Sequence, residues 1–349
     1  MSLEEAFARL LPLVEGELQE MVRASHYSLS DYYGMMQYHM GWVDSDLKPV
    51  KSQGGKRLRP VLCLLCCEAA GGDVEQAVPA AAAVELVHNF SLVHDDIEDG
   101  SHYRRGRRAV WDLWGAAQAI NAGDGLFVLA RQTLHRLVDR GVSLARYQAV
   151  GQALDRACLL LCEGQHFDMS FEERLDVDRD QYLAMIRRKT ATLLATAAQM
   201  GVLVASDDPV LAARYYRFGE NLGLAFQIQD DVLGIWGDEK HTGKSTATDI
   251  RDKKKTLPVV YVLNHPDERL PARQLLDIYR QPAPLGARDI EAALTILDRA
   301  GARQYAEEMA RGYHAQALAS LDECKTEGRA LAAQENLREM AASLLGRTT

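Results

Sequence analysis

The chain has 349 residues, of which 47% are hydrophobic and 26% are charged. This balance is typical of a globular protein and excludes both a largely disordered chain and one embedded in a membrane. With 40 Lys and Arg against 49 Asp and Glu, the net charge is -9, which argues against a general nucleic-acid binder.

The N-terminal segment MSLEEAFARLLPLVEGELQE is acidic and amphipathic, unlike a signal or transit peptide. The sequence contains no run of about 18 uncharged apolar residues and therefore predicts no membrane span. We expect a cytoplasmic protein.

Proline spacing predicts a nearly all-helical chain. No proline lies between Pro79 and Pro209, a stretch rich in Ala, Leu, Gln, Arg and Glu, whose apolar residues recur every three and four positions. Strand-like alternation is absent. Loops are predicted at 48–55, 70–73, 99–108, 170–180, 205–209 and 237–249. Without a linker or repeat, we expect one all-α domain over residues 1–349.

Six cysteines occur in the chain. Cys63, Cys66 and Cys67 lie in the apolar run VLCLLCCEAA, and Cys158 and Cys162 lie in ACLLLCEG. A zinc site would need a second ligand pair at metal-like spacing, and the sequence has none. Buried, reduced thiols on helix faces are predicted.

The first acidic cluster, SLVHDDIEDG, contains Asp95, Asp96 and Asp99. Asp95 and Asp99 are one helical turn apart and share a face, where their like charges repel. The preceding residues are apolar, so the cluster closes a buried helix. A hard divalent cation on the carboxylates would offset the repulsion, although a solvated helix end also explains one such cluster.

The second acidic cluster repeats the pattern in LAFQIQDDVLGIWGD, with Asp230 and Asp231 ending an apolar helix and Gln227 one turn before Asp231. Two such clusters about 130 residues apart are far less expected by chance than one. Facing helices could hold metal ions between them, and carboxylate-bound metals commonly bind phosphate oxygens as well.

Cationic clusters lie beside the predicted turns. Such runs are often solvated surface, but Lys, Arg and metal-bound carboxylates together favour a phosphate-rich ligand. Walker A and GxGxxG sequences are absent, so neither nucleotide-binding loop holds the phosphate. The clusters are Lys56, Arg57 and Arg59; Arg104, Arg105, Arg107 and Arg108; Arg187, Arg188 and Lys189; Lys244; and Lys253, Lys254 and Lys255.

The motifs follow the order and rough spacing of a known family. In sequence they are GGKRLRP, LVHDDIED, RRG, EGQ, RRKTATL, FQIQDDVLG, TGKS and DIRDKKKTLP. Over residues about 50 to 260 the chain resembles the trans-isoprenyl diphosphate synthases, or polyprenyl synthetases. Eight short motifs in order are highly specific. The resemblance implies a single-domain helical bundle around a deep central cavity, paired as a homodimer.

The resemblance also implies a set of site residues. Three Mg²⁺ ions are expected, two held by Asp95 and Asp99 and one by Asp230, to clamp the diphosphate of an allylic substrate. The implied catalytic residues are Asp95, Asp96, Asp99, Asp230, Asp231, Lys189 and Lys244. The implied contacts to the allylic diphosphate are Arg104, Lys189, Thr190, Gln227, Lys244 and Lys254. Those to isopentenyl diphosphate are Lys56, Arg59, His88 and Arg105.

His88 has a simpler explanation as well. A histidine inside an apolar helix is more often a satisfied core residue than a ligand contact. Its place about two turns before Asp95, on nearly the same face, favours the site.

The implied reaction joins isopentenyl diphosphate head to tail with C5 to C15 allylic diphosphates by ionisation, condensation and elimination. Metal ions and cationic side chains would neutralise the leaving diphosphate as its C–O bond breaks. An apolar cavity would keep water from the carbocation. The departing diphosphate can take the last proton, so no protein base is assigned.

The chain departs from the family pattern at two places. Gly234 stands where many members carry a third aspartate of the second motif, which predicts the loss of only an outer-sphere contact if Asp230 binds the metal directly. Asp252 and Lys253 stand where Glu-Gly is common, a conservative difference.

Product length is expected to depend on the residues before the first aspartate motif. Phe90 is bulky and Ser91 is small, a pattern that resembles enzymes making the C20 product, geranylgeranyl diphosphate. Val87 would let a longer chain pass if Phe90 moved aside. C20 is the leading prediction, and C15 and C25 remain open.

Two alternatives share the fold. A terpene cyclase would not need the isopentenyl diphosphate contacts, which are all present here. A non-catalytic partner subunit would usually lack an aspartate motif, and both motifs are intact. A nucleic-acid-binding or purely structural role has only the basic clusters in its favour.

Overall fold

The structure is a computed structural model that describes residues 2–50, 54–237, 247–264, 269–324, 326 and 328–346. These residues are mostly helical, and their only sheet is a short two-stranded hairpin, which confirms the predicted all-α fold class. None of their helices is long and apolar enough to cross a membrane.

The elements are, in chain order, α1 (Leu3–Met21), a 3-10 turn (Tyr27–Leu29), α2 (Ser30–Met40), α3 (Leu58–Ala69), α4 (Val74–Glu98), β1 (Tyr103–Arg104), β2 (Arg107–Arg108), α5 (Val110–Trp114), α6 (Ala116–Asp139), α7 (Leu144–Glu172), α8 (Arg179–Ile186), a π-helical turn (Arg187–Ala191), α9 (Thr192–Ala205), α10 (Pro209–Trp236), α11 (Thr248–Arg251), α12 (Leu257–Leu263), α13 (Arg269–Tyr279), α14 (Ala287–Arg299), α15 (Ala302–Asp322) and α16 (Arg329–Leu345).

The chain divides into two compact units. The first comprises Met1–Asp155, Thr196–Ala213 and Thr326–Leu337, and the second comprises Arg156–Ala195, Arg214–Lys325 and Arg338–Thr349. The single domain and the central cavity stay predictions of the sequence.

Helix α4 forms the core of the first unit. Asp73 caps its start by accepting a hydrogen bond from the Glu75 backbone N–H, as N-cap aspartates do. Every residue from 77 to 87 is buried, and all of them but Glu85 are apolar, as expected for a helix surrounded by its neighbours. The helix ends at its C-cap, Asp99, where Gly100 takes a φ of +61°. The first acidic cluster therefore closes a buried helix, as predicted.

The predicted loop at 99–108 contains a small β-hairpin. Strands β1 and β2 pair antiparallel, with Tyr103 opposite Arg108. The two turn residues, Arg105 and Gly106, have φ values of +53° and +73°, as a tight hairpin turn requires. The sequence analysis missed the hairpin because its turn is Arg-Gly rather than Asn-Gly or Asp-Gly. The predicted loop at 170–180 is also shorter, since α7 continues to residue 172 and α8 starts at 179.

The core of the second unit gathers around the last turns of α10. Leu224, Ile228 and Val232 recur every four residues and are fully buried, so they form one apolar face. The π-helical turn packs tightly nearby, because a Cβ on Gly223 would lie 2.5 Å from the Ala191 Cα. This packing fixes the backbone of the RRKTATL motif.

The cysteines largely follow the prediction. All six are free thiols, and Cys63, Cys66, Cys67 and Cys158 are buried. Cys162 is exposed, so its predicted burial was wrong. It lies three residues after Leu159, which is 63% exposed, on a face of α7 that its own unit leaves uncovered.

Candidate active site

In the first unit, the hairpin brings Arg104 onto the first aspartate motif. The Arg104 Nε donates to Asp96 Oδ1 at 2.8 Å, and its Nη2 donates to Asp95 Oδ2 at 3.2 Å. Asp96 is 1% exposed, whereas Asp95 is only partly buried and Asp99 is exposed. The motif thus has one anchored carboxylate and two accessible ones.

This contact revises the charge argument drawn from the sequence. A compensating charge for Asp95 and Asp96 is already supplied by the Arg104 guanidinium, so a metal ion is not the only source of relief. Burial raises the pKa of Asp96, although the hydrogen bond from Arg104 opposes that shift. The Oδ2 of Asp96 is buried without a hydrogen-bond partner among the described residues.

Two of the four residues expected to contact isopentenyl diphosphate touch each other. Arg59 Nη1 lies 3.2 Å from His88 Nε2, and because a guanidinium can only donate, the imidazole nitrogen accepts. Burial and the neighbouring Arg59 hold the pKa of His88 well below its usual value. Arg105 donates to the carbonyl of Gly54, and Lys56 is exposed.

Several cations that the sequence grouped with the ligand are instead held by the protein. Arg57 is buried and pairs with Glu15 at 2.6 Å and Glu85 at 2.8 Å. Arg107 stacks on the Tyr38 ring at 3.9 Å. The others are Arg108 with Asp112, Arg187 with Glu220, Arg188 with Glu163, Lys253 with the Gln281 carbonyl and Lys255 with the Glu172 carbonyl.

In the second unit, Asp231 is a buried acceptor at the centre of a hydrogen-bond network. Its Oδ2 accepts from the Tyr182 hydroxyl at 2.5 Å and from the Leu257 backbone N–H at 2.9 Å. Its Oδ1 accepts from Gln227 Nε2 at 3.0 Å. Burial raises the pKa of Asp231 to about 7, and the three donors oppose that shift. Asp231 therefore anchors the first residue of α12 to the end of α10.

The neighbouring Asp230 is only partly buried. Of the two aspartates, it is the more exposed one. Tyr182, which donates to the neighbouring Asp231, belongs to none of the motifs that the sequence analysis assigned to the site. The signal that could have found it is general, since a tyrosine buried in a core usually directs its hydroxyl to a partner.

Two of the residues expected to contact the allylic diphosphate in this unit, Thr190 and Gln227, are hydrogen-bonded to each other. Thr190 donates to Gln227 Oε1 at 2.7 Å, which joins it to the Asp231 network. Lys189 donates to Asp168, and the Lys254 Nζ lies 3.9 Å from Asp249 Oδ1. Lys244 lies outside the described residues.

Gly234, the departure noted in the second motif, is covered by a carboxylate from another segment. A Cβ built on Gly234 would lie 1.9 Å from Asp249 Oδ2. Asp249 is largely buried, with 14% of its side chain exposed. A third carboxylate is thus present beside the motif, although it does not come from the motif itself.

Replacing Gly234 with aspartate is expected to lower the free energy of unfolding by about 1–3 kcal/mol, because the added side chain overpacks the site. In the double variant Gly234→Asp/Asp249→Gly, at least half of that loss should return. Thermal unfolding measures both effects, and Gly312→Asp is the control, because a Cβ on that exposed α15 residue meets nothing within 4 Å. Equal stability of the wild type and Gly234→Asp would contradict the arrangement.

The donor chemistry of these residues fits Mg²⁺. Among the described residues, no three Asp, Glu, His or Cys side chains converge to hold a metal ion by themselves. Mg²⁺ commonly binds one or two carboxylates and completes its shell with water and phosphate oxygens. Asp95 and Asp99 in the first unit, and Asp230 in the second, offer such carboxylates.

The predicted chain-length residues lie on α4. The Phe90 ring makes contacts with His94 and Phe127, each at a centroid distance of 5.1 Å. Ser91 donates to the His88 carbonyl at 2.8 Å, and Val87 is fully buried. Phe90 and Ser91 are both partly exposed, and Phe90 is the one with a large side chain.

Comparisons with known proteins agree with the motif order. A sequence model described as polyprenyl synthetase matches residues 40–297. A geranylgeranyl diphosphate synthase of Mycobacterium tuberculosis is 42% identical over 287 residues, covering 82% of this chain and 80% of that protein. A (2E,6E)-farnesyl diphosphate synthase of the same organism is 39% identical over 287 residues, covering 81% of this chain and 78% of that protein.

A solved structure extends the likeness over the full length. The polyprenyl synthetase from Streptomyces coelicolor A3(2) matches with a TM-score of 0.86 at 34% sequence identity, covering 98% of both chains. The relatives named here thus agree on the kind of enzyme and differ in the product they are named for.

Proposed function

Because the chain belongs to the polyprenyl synthetase family, we propose that it is a Mg²⁺-dependent prenyltransferase that condenses isopentenyl diphosphate with allylic diphosphates. The leading product is geranylgeranyl diphosphate, with farnesyl (C15) and geranylfarnesyl (C25) diphosphate as the alternatives. The relatives named for C20 and C15 products support those two lengths.

The proposal rests on an arrangement of the two aspartates that both motifs share. In each pair the second aspartate, Asp96 or Asp231, is buried and hydrogen-bonded. The first, Asp95 or Asp230, is only partly buried. An anchored carboxylate beside an accessible one is suited to binding a metal–diphosphate group with little rearrangement.

Asp95, Asp99 and Asp230 would hold Mg²⁺, which when bound supplies positive charge to the leaving diphosphate. Arg104, Lys189, Thr190, Gln227, Lys244 and Lys254 are proposed to bind the allylic diphosphate. Lys56, Arg59, His88 and Arg105 are proposed to bind isopentenyl diphosphate. Arg59 and Arg105 support the role in binding isopentenyl diphosphate, because the positive charges of both side chains lower the pKa of His88 in the first unit.

The proposed reaction balances without a protein base. The allylic C–O bond breaks and its electron pair leaves with the diphosphate. The double bond of isopentenyl diphosphate supplies the electron pair for the new C–C bond, and a proton is lost to the departing diphosphate. The side chains position both substrates and exclude water from the cation. Each condensation releases one inorganic diphosphate.

Product analysis tests this proposal. The purified protein is incubated with Mg²⁺, isopentenyl diphosphate and, separately, C5, C10 and C15 allylic primers, and the dephosphorylated products are sized. A dominant C20 alcohol is expected. A C15 or C25 product would keep the reaction but reject the C20 assignment. A cyclic hydrocarbon formed without isopentenyl diphosphate would favour a terpene cyclase.

Replacing Phe90 with alanine is expected to lengthen the dominant product by at least one isoprene unit, because the ring that contacts Phe127 is removed. The matched variant Ser91→Phe adds a ring one residue later and is expected to shorten the product. Chromatography of the dephosphorylated alcohols measures both shifts. An unchanged product in both variants would reject these residues as the chain-length floor.

The homodimer and the cytoplasmic location stay proposals. In the first unit, Ile120 and Val128 on α6 are 46% and 53% exposed, and they are proposed to lie at the self-association surface. Sedimentation of the purified protein tests the dimer.

A further inference from the structure

His39, near the end of α2, is a buried polar residue that the proposed mechanism leaves unexplained. It is 9% exposed, and its Nε2 has no hydrogen-bond partner within the described part of the chain. Buried polar atoms of this kind are rare in folded proteins, because an unmade hydrogen bond is costly. A ligand oxygen at Nε2 would remove the cost.

A small cavity adjoins His39 in the first unit. It is lined by Tyr38, His39 and four arginines of the hairpin, Arg104, Arg105, Arg107 and Arg108, among others. Its volume of about 20 Å³ is room for a single oxygen atom of a water or a phosphoryl group. Arginine can only donate hydrogen bonds, so the cavity favours an acceptor oxygen.

The backbone around His39 is held on both sides. Arg107 Nη1 donates to the Tyr38 carbonyl at 3.0 Å, and its guanidinium stacks on the Tyr38 ring. Arg57 Nη2 donates to the Met40 carbonyl at 3.2 Å. These contacts keep the imidazole among the arginines.

His39 belongs electrostatically to the same group as His88. Burial and the neighbouring Arg105 hold the pKa of His39 well below its usual value, so the imidazole is neutral at neutral pH. Arg105 and His39 also help to lower the pKa of His88. The family resemblance places His88 among the isopentenyl diphosphate contacts. A neutral imidazole carries one N–H and one lone pair, and either ring nitrogen can bear the proton.

We infer that His39 is a further binding residue of the isopentenyl diphosphate site, where its Nε2 hydrogen-bonds a phosphoryl oxygen that Arg105 also binds. This rests on the proposed function, because it assigns a ligand to that same cationic group. The alternative occupant of the cavity is a structural water, which the test below separates.

Three substitutions separate the two ring nitrogens. In His39→Gln the side-chain amide reaches the position of Nε2, in His39→Asn it reaches only that of Nδ1, and in His39→Phe no polar atom remains. We expect the KM for isopentenyl diphosphate to rise roughly tenfold in His39→Asn and His39→Phe, the worth of one hydrogen bond. It should stay within about threefold of the wild type in His39→Gln. The KM for the allylic primer should not change.

Calorimetric binding of isopentenyl diphosphate without metal gives a readout independent of turnover. Wild type that binds, with His39→Phe about tenfold weaker, supports the inference. Equal binding by both proteins overturns it while leaving the proposed function intact, and favours the structural water as the occupant. Wild type that neither binds nor elongates overturns both. A His39→Gln variant as poor as His39→Phe, with a raised primer KM, would show a structural role instead.

Discussion

Replacing Asp230 with asparagine is expected to lower kcat by about 10²- to 10³-fold, the loss typical of removing one group that stabilises charge in the transition state. Asp230 is the less buried aspartate of the second motif. Its carboxylate is proposed to bring Mg²⁺ to the allylic diphosphate, and an amide is a much poorer ligand for that ion.

The same substitution should leave the free energy of unfolding nearly unchanged. Steady-state rates at saturating substrates and thermal unfolding measure the two quantities on one preparation. Asp277→Asn is the control for removing a carboxylate from the second unit, since Asp277 is exposed in a pair with Arg280. A variant that keeps more than a tenth of the wild-type kcat would reject Asp230 as a metal-binding residue.

Replacing Asp231 with alanine is expected to cost about 2–4 kcal/mol of unfolding free energy, because it leaves buried donors without an acceptor. The Tyr182 hydroxyl and the Leu257 N–H both donate to one of its oxygens. The two adjacent aspartates are therefore expected to have different roles. Substitution of Asp230 should lower turnover, and substitution of Asp231 should lower stability.

The asparagine variant at the same position is the matched control. The amide oxygen of the new asparagine can still accept from Tyr182 and Leu257. After a flip of the Gln227 amide, the Gln227 side-chain oxygen accepts from the asparagine NH₂ group. Asp231→Asn should therefore retain at least half of the stability that alanine removes. Urea denaturation of the three proteins measures the series. Equal destabilisation by alanine and asparagine would contradict the hydrogen-bond network.

Local spacing predicted those features that depend on one helix. The i, i+4 rule places Gln227 beside Asp231, and in the structure Gln227 Nε2 lies 3.0 Å from Asp231 Oδ1. The same rule places Asp99 one turn after Asp95, and the Asp99 N–H donates to the Asp95 carbonyl. Such relations need only the helical repeat.

Features that depend on distant segments were not predictable in the same way. Helix geometry does not say that Arg104 pairs with Asp96, that Tyr182 donates to Asp231, or that the Asp249 carboxylate covers Gly234. Each contact joins residues on different elements, so tertiary packing decides it.

Charge runs were the weakest guide. Arg57 and Arg59 are two residues apart in GGKRLRP, yet Arg57 is buried between two glutamates while Arg59 reaches His88. Composition shows that cations are present but does not show which of them the protein neutralises itself. His39 belongs to no motif, and what distinguishes it is its burial and an Nε2 that has no hydrogen-bond partner among the residues that the structure describes.

The most direct test of the proposed activity is the release of inorganic diphosphate from a C15 allylic diphosphate, with Mg²⁺, in the presence and absence of isopentenyl diphosphate. A prenyltransferase releases one diphosphate for each isopentenyl diphosphate consumed and very little without it. Rapid release from the allylic substrate alone, with a cyclic hydrocarbon as the product, would contradict the account.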